Sequence, residues 1–301
     1  MSQQKHFKYD RHTEHWDETL EDPERLKISE SWFKENTLDY WRHAQMRKPL
    51  EIFIKSDADT SWLTVGDGRY GTDAHYLLKK GAKEVHASDI SDSLLKIGHE
   101  KGFIDAYSAQ NAESLSFEDN SFDYVYCKES FHHFPRPFIA LDEMFRVARK
   151  AVILTEPRDI LIDKPPFAFV MKTLKRLLRR PHNNGHSFEE VGNYVYSISE
   201  RELEKFLLGM HYTDIAYIGC NDAYILGIEF IKMDSQDKLQ KKIKHKMMRK
   251  IRIMDALCAL KMSKTSLLTA ALFKTPPNPE TIDLLKQNEW KYKKLPKNPY
   301  L

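Results

Sequence analysis

Leu63-Thr-Val-Gly-Asp-Gly-Arg-Tyr-Gly71 is the stretch on which the fold turns. A short apolar run ends in Gly66-x-Gly68-x-x-Gly71 and passes into a helix-patterned segment, Thr72 to Lys80, that stops at Gly81. A strand running into closely spaced glycines and then a helix lets backbone approach a ligand, with the helix N-terminus facing it. Val85-His-Ala-Ser88 reads as the next strand, and Asp89 closes it, 21 residues after Gly68. A carboxylate there can accept hydrogen bonds from both hydroxyls of a ribose. Glycine spacing alone is a weak signal, whereas glycines and an acid on successive strand ends point together to a nucleotide-type ligand.

Outward from this turn the strand and helix signals alternate. Asp92 to His99 is helical, Phe122 to Cys127 a strand, Phe138 to Val147 helical and Ala151 to Thr155 a strand. Such alternation predicts a parallel sheet covered by helices on both faces. Glu200 to Leu208 then reads as a helix, followed by strands Tyr212–Gly219 and Tyr224–Ile231. The short Cys220-Asn-Asp222 link makes those two antiparallel, because a parallel crossover needs a dozen or more residues. Residues 1–60, rich in aromatic and charged side chains, form a helical N-terminal cap in this reading. Residues 61–231 form the core, with an insertion at about 158–198, and 232–301 form a basic helical C-terminal extension.

Composition bounds the function. In 301 residues, 47 Lys and Arg face 44 Asp and Glu, 41% of residues are apolar and 30% charged. That supports a sizeable core and excludes wholesale disorder, collagen-like repeats and a small disulfide scaffold. Apolar runs such as Ala151–Leu154 fall far short of the roughly 20 residues that span a bilayer. Met1-Ser-Gln-Gln-Lys-His6 has no signal-peptide core, and Cys127, Cys220 and Cys258 form no CxxC, as in reduced cytosolic proteins. A soluble cytoplasmic protein is expected. Charge is uneven, however: residues 232–264 hold 11 Lys or Arg and 3 acids, a net +8. A second basic stretch, Phe167 to Arg180, spaces Val170, Met171, Leu174, Leu177 and Leu178 as an amphipathic helix. These two helices could face an anionic acceptor or the inner face of a membrane. Nucleic acid is not an expected partner, since the whole chain is nearly neutral and has no recognised binding module.

The glycine pattern also fits dinucleotide binding, which would make the chain an NAD-dependent oxidoreductase. Tyr76-x-x-x-Lys80 imitates a short-chain dehydrogenase pair, but its place in the first helix after the glycines would point it away from a nicotinamide. The following segments separate the readings. Gln110-Asn-Ala-Glu-Ser-Leu-Ser-Phe-Glu-Asp-Asn-Ser-Phe-Asp-Tyr-Val125, Phe131-His-His-Phe-Pro135, Leu141-Asp-Glu-Met-Phe-Arg-Val147 and Leu154-Thr-Glu-Pro157 come in order. Together they resemble the class I S-adenosylmethionine-dependent methyltransferases, specifically the type 11 group, over about residues 62–157. The resemblance implies a Rossmann-like, doubly wound, seven-stranded α/β sheet, mostly parallel with an antiparallel last strand. The implied cofactor is S-adenosyl-L-methionine, leaving as S-adenosyl-L-homocysteine.

By the same resemblance Gly66 and Gly68, flanked by Val65 and Asp67, would line the methionine and ribose portion of the cofactor. Asp89 would hold the ribose hydroxyls, with Ile90 beside the adenine. Asn111 would meet the adenine amino group, Ala112 would offer its N–H to the ring, and Lys128 would border the reactive end. The chain departs from the family at Thr64, where an acid is usual, at Tyr70, where glycine is usual, and at Asn111, where Asp is usual. Those departures leave open a catalytically silent scaffold that binds cofactor.

Methyl transfer is an in-line displacement that depends mostly on alignment, and an oxygen or nitrogen acceptor also calls for a base. His133, then His132, are the candidate bases, and Glu129 shares their turn. Glu129, His132 and His133 could also ligate a metal, although no metal is expected. Trp41, His186 and Tyr194 are the candidate acceptor contacts, with Trp16, Tyr40 and His43 as further lid residues and Glu156 at the same sheet edge. The acceptor is read as a small molecule or a saccharide, methylated at oxygen.

Overall fold

A computed structural model describes residues 9–57, 59–159, 162, 188 and 193–300. Its centre is an eight-stranded sheet: β1 (Ser61–Val65), β2 (Glu84–Asp89), β3 (Ala106–Ala109), β4 (Phe122–Lys128), β5 (Ala148–Pro157), β6 (Asp214–Cys220), β7 (Leu267–Phe273) and β8 (Lys291–Lys294). The spatial order is β3-β2-β1-β4-β5-β7-β6-β8. The first five strands run parallel, whereas β7 is antiparallel to β5 and β6, and β8 to β6. The doubly wound, Rossmann-like arrangement matches the expectation, with one strand more than seven.

Strand composition follows burial. Every residue of β4 is buried, as a strand covered on both faces requires. Ridges of side chains then form two cores, one with Leu63, Val125, Phe145 and Val152, the other with Trp62, Tyr124, Tyr126 and Ile153. Trp62 stacks on Tyr124 at 4.6 Å between centroids. The helices α5 (Thr72–Lys79), α6 (Ser93–Glu100) and α7 (Pro137–Val147) fill the crossovers.

Two expectations are corrected. Tyr224–Ile231 is no strand: Gly227 turns the chain at φ 90° and Ile228–Phe230 forms a single 3-10 turn. Its apolar side chains Ile225, Ile228 and Ile231 instead pack beneath a helix, with the preceding Ala223. The stretch after residue 232 is also more than a helical extension. It contains the long basic helix, Lys238–Ala259, but then returns to the sheet as β7, whose seven residues are all buried, and as β8. The basic helix is thus an insertion between β6 and β7.

The N-terminal cap comprises α1 (Asp10–Glu21), α2 (Pro23–Glu30), α3 (Leu38–Arg47) and α4 (Glu51–Ser56). Asp22 caps α2 by accepting from the Glu24 and Arg25 N–H groups, with Pro23 at the first helical position. Thr37 caps α3 through the Tyr40 N–H. After β6's preceding helix α8 (Glu200–Gly209), which opens with a Ser199–Glu202 capping box, the basic helix is α9 (Lys238–Ala259) and the last is α10 (Pro279–Gln287).

Candidate functional site

In the strand order β1 is flanked by β2 and β4, with connections leaving in opposite directions, and open sheets of this kind bind ligands at the carboxyl ends of those strands. The turn after β1 sits there. Gly66 and Gly71 take left-handed φ values of 75° and 74°, which an L side chain adopts at a cost. A Cβ at Gly68 would lie 2.9 Å from Asp89 Oδ2, so this glycine is what lets the β2 carboxylate approach the turn. Tyr70 also has φ 60° but is not glycine. Its buried ring packs on Phe33 at 4.2 Å and its hydroxyl lies 2.9 Å from Ser29 Oγ. The departure at this position thus anchors the cap to the turn.

The departure at Thr64 has a local answer as well. Its hydroxyl donates to Asp67 Oδ2 at 3.0 Å, and Asp67 also accepts the Asp73 and Ala74 N–H groups at the start of α5. Burial, and then the neighbouring Asp73, push the Asp67 carboxyl up to about 7.

Asp89 is buried, accepts the backbone N–H groups of Ser91, Ile90 and Gly68, and has no cationic partner among the described residues. Burial lifts it to about 6 against those donors. Ile90 is half-buried next to it, and Asn111 and Ala112 stand beyond β3. Asn111 Oδ1 accepts the Glu113 N–H at 2.9 Å, which fixes the amide with its oxygen toward the backbone. Helix α1 lies over this end of the site. Asp17 accepts from the Ser91 and Ser93 hydroxyls, both at 2.7 Å, while Tyr9 donates to Glu113 at 2.7 Å and accepts from Arg136.

At the other end is a cavity of about 470 Å³, lined by Gly66, Gly68, His43, Lys128, Glu129 and His133 among others. A second one of about 270 Å³, lined by Trp32, Tyr40 and Asp39, shares His43, Arg69 and Thr72 with it. Helix α3 builds their common wall by spacing Asp39, His43 and Arg47 four residues apart. Arg42 joins three carboxylates: Asp222 at 2.6 Å, Asp39 at 3.1 Å and Glu129 at 3.4 Å. Arg47 holds Asp73 at 2.6 Å, and Lys128 reaches the same carboxylate at 3.3 Å. Burial opposes the charge on Asp73, but Lys128 and Arg47 outweigh it and hold the carboxyl below its ordinary value. Glu129 is lowered too, as Lys128, Arg42 and Arg69 overcome its burial.

His43 is crowded by cations, with the Asp39 and Glu129 carboxylates at 3.6 and 3.5 Å. Burial, then Lys128, Arg69, Arg42 and Arg47, keep its imidazole neutral. Its Nε2 lies 3.2 Å from Arg42 and 3.1 Å from Arg69. Guanidinium groups only donate, so Nε2 is an acceptor, while Nδ1 lies between Lys128 Nζ at 3.4 Å and Glu129 Oε2 at 3.5 Å.

Beyond β4, Glu156 is fully buried at the end of β5 and organises the histidine turn. One carboxylate oxygen accepts the Ser130 and Phe131 N–H groups, both at 2.9 Å, and the other accepts His132 Nδ1–H at 2.6 Å. The His132 ring lies against His133, tilted by 42° with centroids 3.9 Å apart. His133 lines the larger cavity, and the Glu156 carboxylate fixes the orientation of the neighbouring His132 ring through Nδ1.

The structure therefore brings together Gly66, Asp67, Gly68, Asp89, Lys128, Glu129, His132 and His133. Val65 is buried in β1 and supports the turn through the strand. Trp41 is corrected: it packs with Leu38, Ile243 and Met247 on the opposite side of α3 from His43. Tyr194 pairs with Phe188 in an isolated bridge and meets Tyr196 edge-to-face, and the Tyr196 N–H donates to the His132 carbonyl. His186, the basic stretch 167–180 and the Trp16 side chain lie outside the described residues. Among the described residues no three His, Cys, Asp or Glu groups converge as a metal site, since Glu129 turns to Arg42 and His132 to Glu156. Tyr76 and Lys80 both engage Glu51, away from the cavity. Arg42, Arg47, Arg69 and Asp222 went unread in the sequence, because their partners lie in distant segments.

These residues fit S-adenosylmethionine. A glycine turn that a Cβ would obstruct, a buried carboxylate with no cationic partner among the described residues and a neighbouring cavity lined by charged groups suit its backbone approach, its ribose and its polar tail.

Known proteins give the same direction. A curated demethylmenaquinone methyltransferase of Anoxybacillus flavithermus is 32% identical over 146 residues, covering 45% of this chain and 62% of that protein. A ubiquinone/menaquinone biosynthesis C-methyltransferase of Shewanella is 26% identical over 164 residues, covering 50% and 64%. The chain thus spans less than two thirds of the length of these relatives. A crystal structure of magnesium protoporphyrin IX methyltransferase from Synechocystis, with bound SAH, superposes at a TM-score of 0.49 and 14% identity over 87% of this chain and 99% of that one. The methyltransferase-domain family itself matches residues 63–155. That segment runs from within β1 to within β5 and carries the ends of β1, β2 and β4 around the glycine turn, so the similarity to the methyltransferase-domain family falls on the candidate site itself.

Proposed function

We propose that the protein transfers a methyl group from S-adenosylmethionine to a small-molecule or saccharide acceptor, at oxygen. The observation that supports this reading best is the Gly68–Asp89 approach: a buried, cation-free carboxylate beside a glycine turn suits a diol, which offers two O–H donors. When bound, S-adenosylmethionine supplies a methyl group activated on a sulfonium, moved by in-line displacement.

The chain's own residues divide the remaining work. Gly66 and Gly68 clear space for the adenosyl and methionyl portions, and Asp89 orients the sugar. His132, oriented by Glu156 through Nδ1, is assigned the role of base that takes the acceptor's proton. The buried carboxylate steadies the imidazolium that results. His133 forms part of the cavity wall, and the Arg42–Glu129–His43 network fixes the opposite wall, so little reorganisation accompanies binding. The names of the curated relatives refer to quinone substrates, and one to methylation at carbon. A carbon acceptor is therefore the second reading, and it would use the same base.

Calorimetric titration with S-adenosylmethionine, S-adenosylhomocysteine and NAD tests the proposal. The two adenosyl sulfur compounds should bind and NAD should not. Asp89→Ala should weaken binding by about 1–3 kcal/mol, the scale of hydrogen bonds to a charged group. Unchanged affinity, or a preference for NAD, would overturn the reading. Binding without turnover over a broad acceptor panel would make the chain a silent scaffold.

A further inference from the structure

The long helix α9 has more charge than its fold needs. It carries eight Lys or Arg against one acid, Asp255, over 22 residues, about 33 Å of helix. Its inner face is settled: Ile243, Met247, Met248 and Ile251 pack on Leu38, Trp41, Ala223, Ile228 and Ile231. Only Met247 is buried.

The outer face is not simply a solvated one. Leu239, Lys242, Lys246, Lys250, Ile253 and Leu260 are all exposed and follow one another at steps of three, four, four, three and seven residues. At about 100° per residue those steps fall on one side of the helix. The apolar members are well exposed, Leu239 at 66%, Ile253 at 54% and Leu260, just past the helix end, at 69%. Lys242, Lys246 and Lys250 have no acidic partner among the described residues. The loop beneath the helix adds exposed Tyr224 and Leu226, and the Tyr224 ring faces the Arg42 guanidinium at 5.5 Å, next to the cavity. No helix among the described residues is long and apolar enough to cross a membrane.

We infer that this stripe docks the protein on an anionic lipid bilayer, with the helix lying along the surface. Charge complementarity selects the partner's sign, and the apolar residues interleaved with the bases select its kind. An interfacial helix lowers such side chains past the headgroups while its lysines meet lipid phosphates. A nucleic-acid backbone would use the lysines but would leave Leu239, Ile253 and Leu260 in water. The inference is independent of the methyl-transfer proposal, for it concerns a face of the insertion rather than the glycine turn.

Co-sedimentation of the full chain with vesicles of phosphatidylcholine, alone or mixed with phosphatidylglycerol, tests it. Binding is expected only to the phosphatidylglycerol mixture and should weaken as salt is raised. Lys242→Glu/Lys246→Glu/Lys250→Glu should reduce the affinity about a hundredfold, at roughly 1 kcal/mol for each basic residue removed from the surface. Leu239→Ser/Ile253→Ser/Leu260→Ser should reduce it severalfold and leave the remainder more sensitive to salt. All six side chains are exposed, so both variants should keep the parent's melting temperature, and a variant that does not is replaced by its single substitutions. Failure of the folded parent to bind the anionic vesicles would overturn the inference. So would undiminished binding by the serine variant, or tighter binding of the parent to duplex DNA than to the vesicles, either of which would mark the stripe as a site for polyanions.

Discussion

Tyr70 and Ser29 meet through their hydroxyls at 2.9 Å, both side chains buried, although 41 residues separate them. Tyr70 holds a left-handed backbone that glycine would adopt more cheaply, with φ at 60°, and its ring carries the contact between the cap and the glycine turn. Tyr70→Phe should therefore cost about 1 kcal/mol, for the hydrogen bond alone. Tyr70→Gly should relax the backbone yet lose about 3–5 kcal/mol of aromatic packing. It should also expose the segment before α3 to protease while the sheet stays folded. Denaturant melts with limited proteolysis check both; a glycine variant as stable as the parent would show that the cap does not depend on this ring.

The cation-free burial of Asp89 gives stability a definite pH dependence. Its carboxyl is raised from an ordinary value of 3.8 to about 6, so the folded state binds this proton more tightly than the unfolded chain does. Its contribution is therefore fully present below about 3.8, declines as pH rises toward 6 and levels off above. Asp89→Asn removes the charge. It should stabilise the ligand-free protein by about 3 kcal/mol near pH 8, with the gain disappearing as pH falls toward 4, on the scale of 1.4 kcal/mol for each pKa unit. The same variant should bind S-adenosylmethionine more weakly. Melting curves from pH 4 to about 8 test the sign, and a variant less stable than the parent at the alkaline end would refute it.

Much of this was legible in the chain, and the parts that were not have physical reasons. Strands β1, β2, β4 and β5 announce themselves as apolar runs bounded by turn residues, and the glycines and Asp89 mark their ends. β7 does not, because Leu267-Leu-Thr-Ala-Ala-Leu-Phe273 is an apolar run broken only by Thr269, without strand alternation, that suits a buried helix as well as a strand. β8, Lys291–Lys294, is too polar to read as a strand, as suits an exposed sheet edge. Trp41 was misassigned because aromatic content alone does not give a helix its facing. In α3, Leu38 and Trp41 share one face, and Asp39, His43 and Arg47 share another, which that spacing could have revealed. Arg42's bonds to Glu129 and Asp222 could not be read, since they join residues 87 and 180 positions apart.

Arg47 shows how far the cavity wall depends on buried charge. Its guanidinium is 3% exposed and meets Asp73 at 2.6 Å and Thr72 at 2.9 Å. Arg47→Met keeps most of the volume but leaves Asp73 with Lys128 alone. Breaking a buried pair from one side costs about 3–5 kcal/mol, because the remaining charge loses its partner. Urea denaturation should register that loss, and a change below about 1 kcal/mol would place the pair among those of little consequence.

Glu156 and His132 provide the most direct test of the chemistry. Glu156 accepts the His132 Nδ1 proton with one oxygen and two backbone N–H groups with the other. Glu156→Gln can keep the backbone bonds through its carbonyl oxygen, but its amide N–H₂ then faces Nδ1. The ring must respond by moving its proton to Nε2, where it can no longer act as a base. Turnover should fall by about 10²–10⁴, the usual contribution of a positioned base, with S-adenosylhomocysteine affinity unchanged. His132→Ala should fall by as much, while His133→Ala should alter acceptor KM more than kcat, as expected of a wall residue. If Glu156→Gln turns over at the parent's rate, His132 does not carry the proton, and alignment alone must account for catalysis.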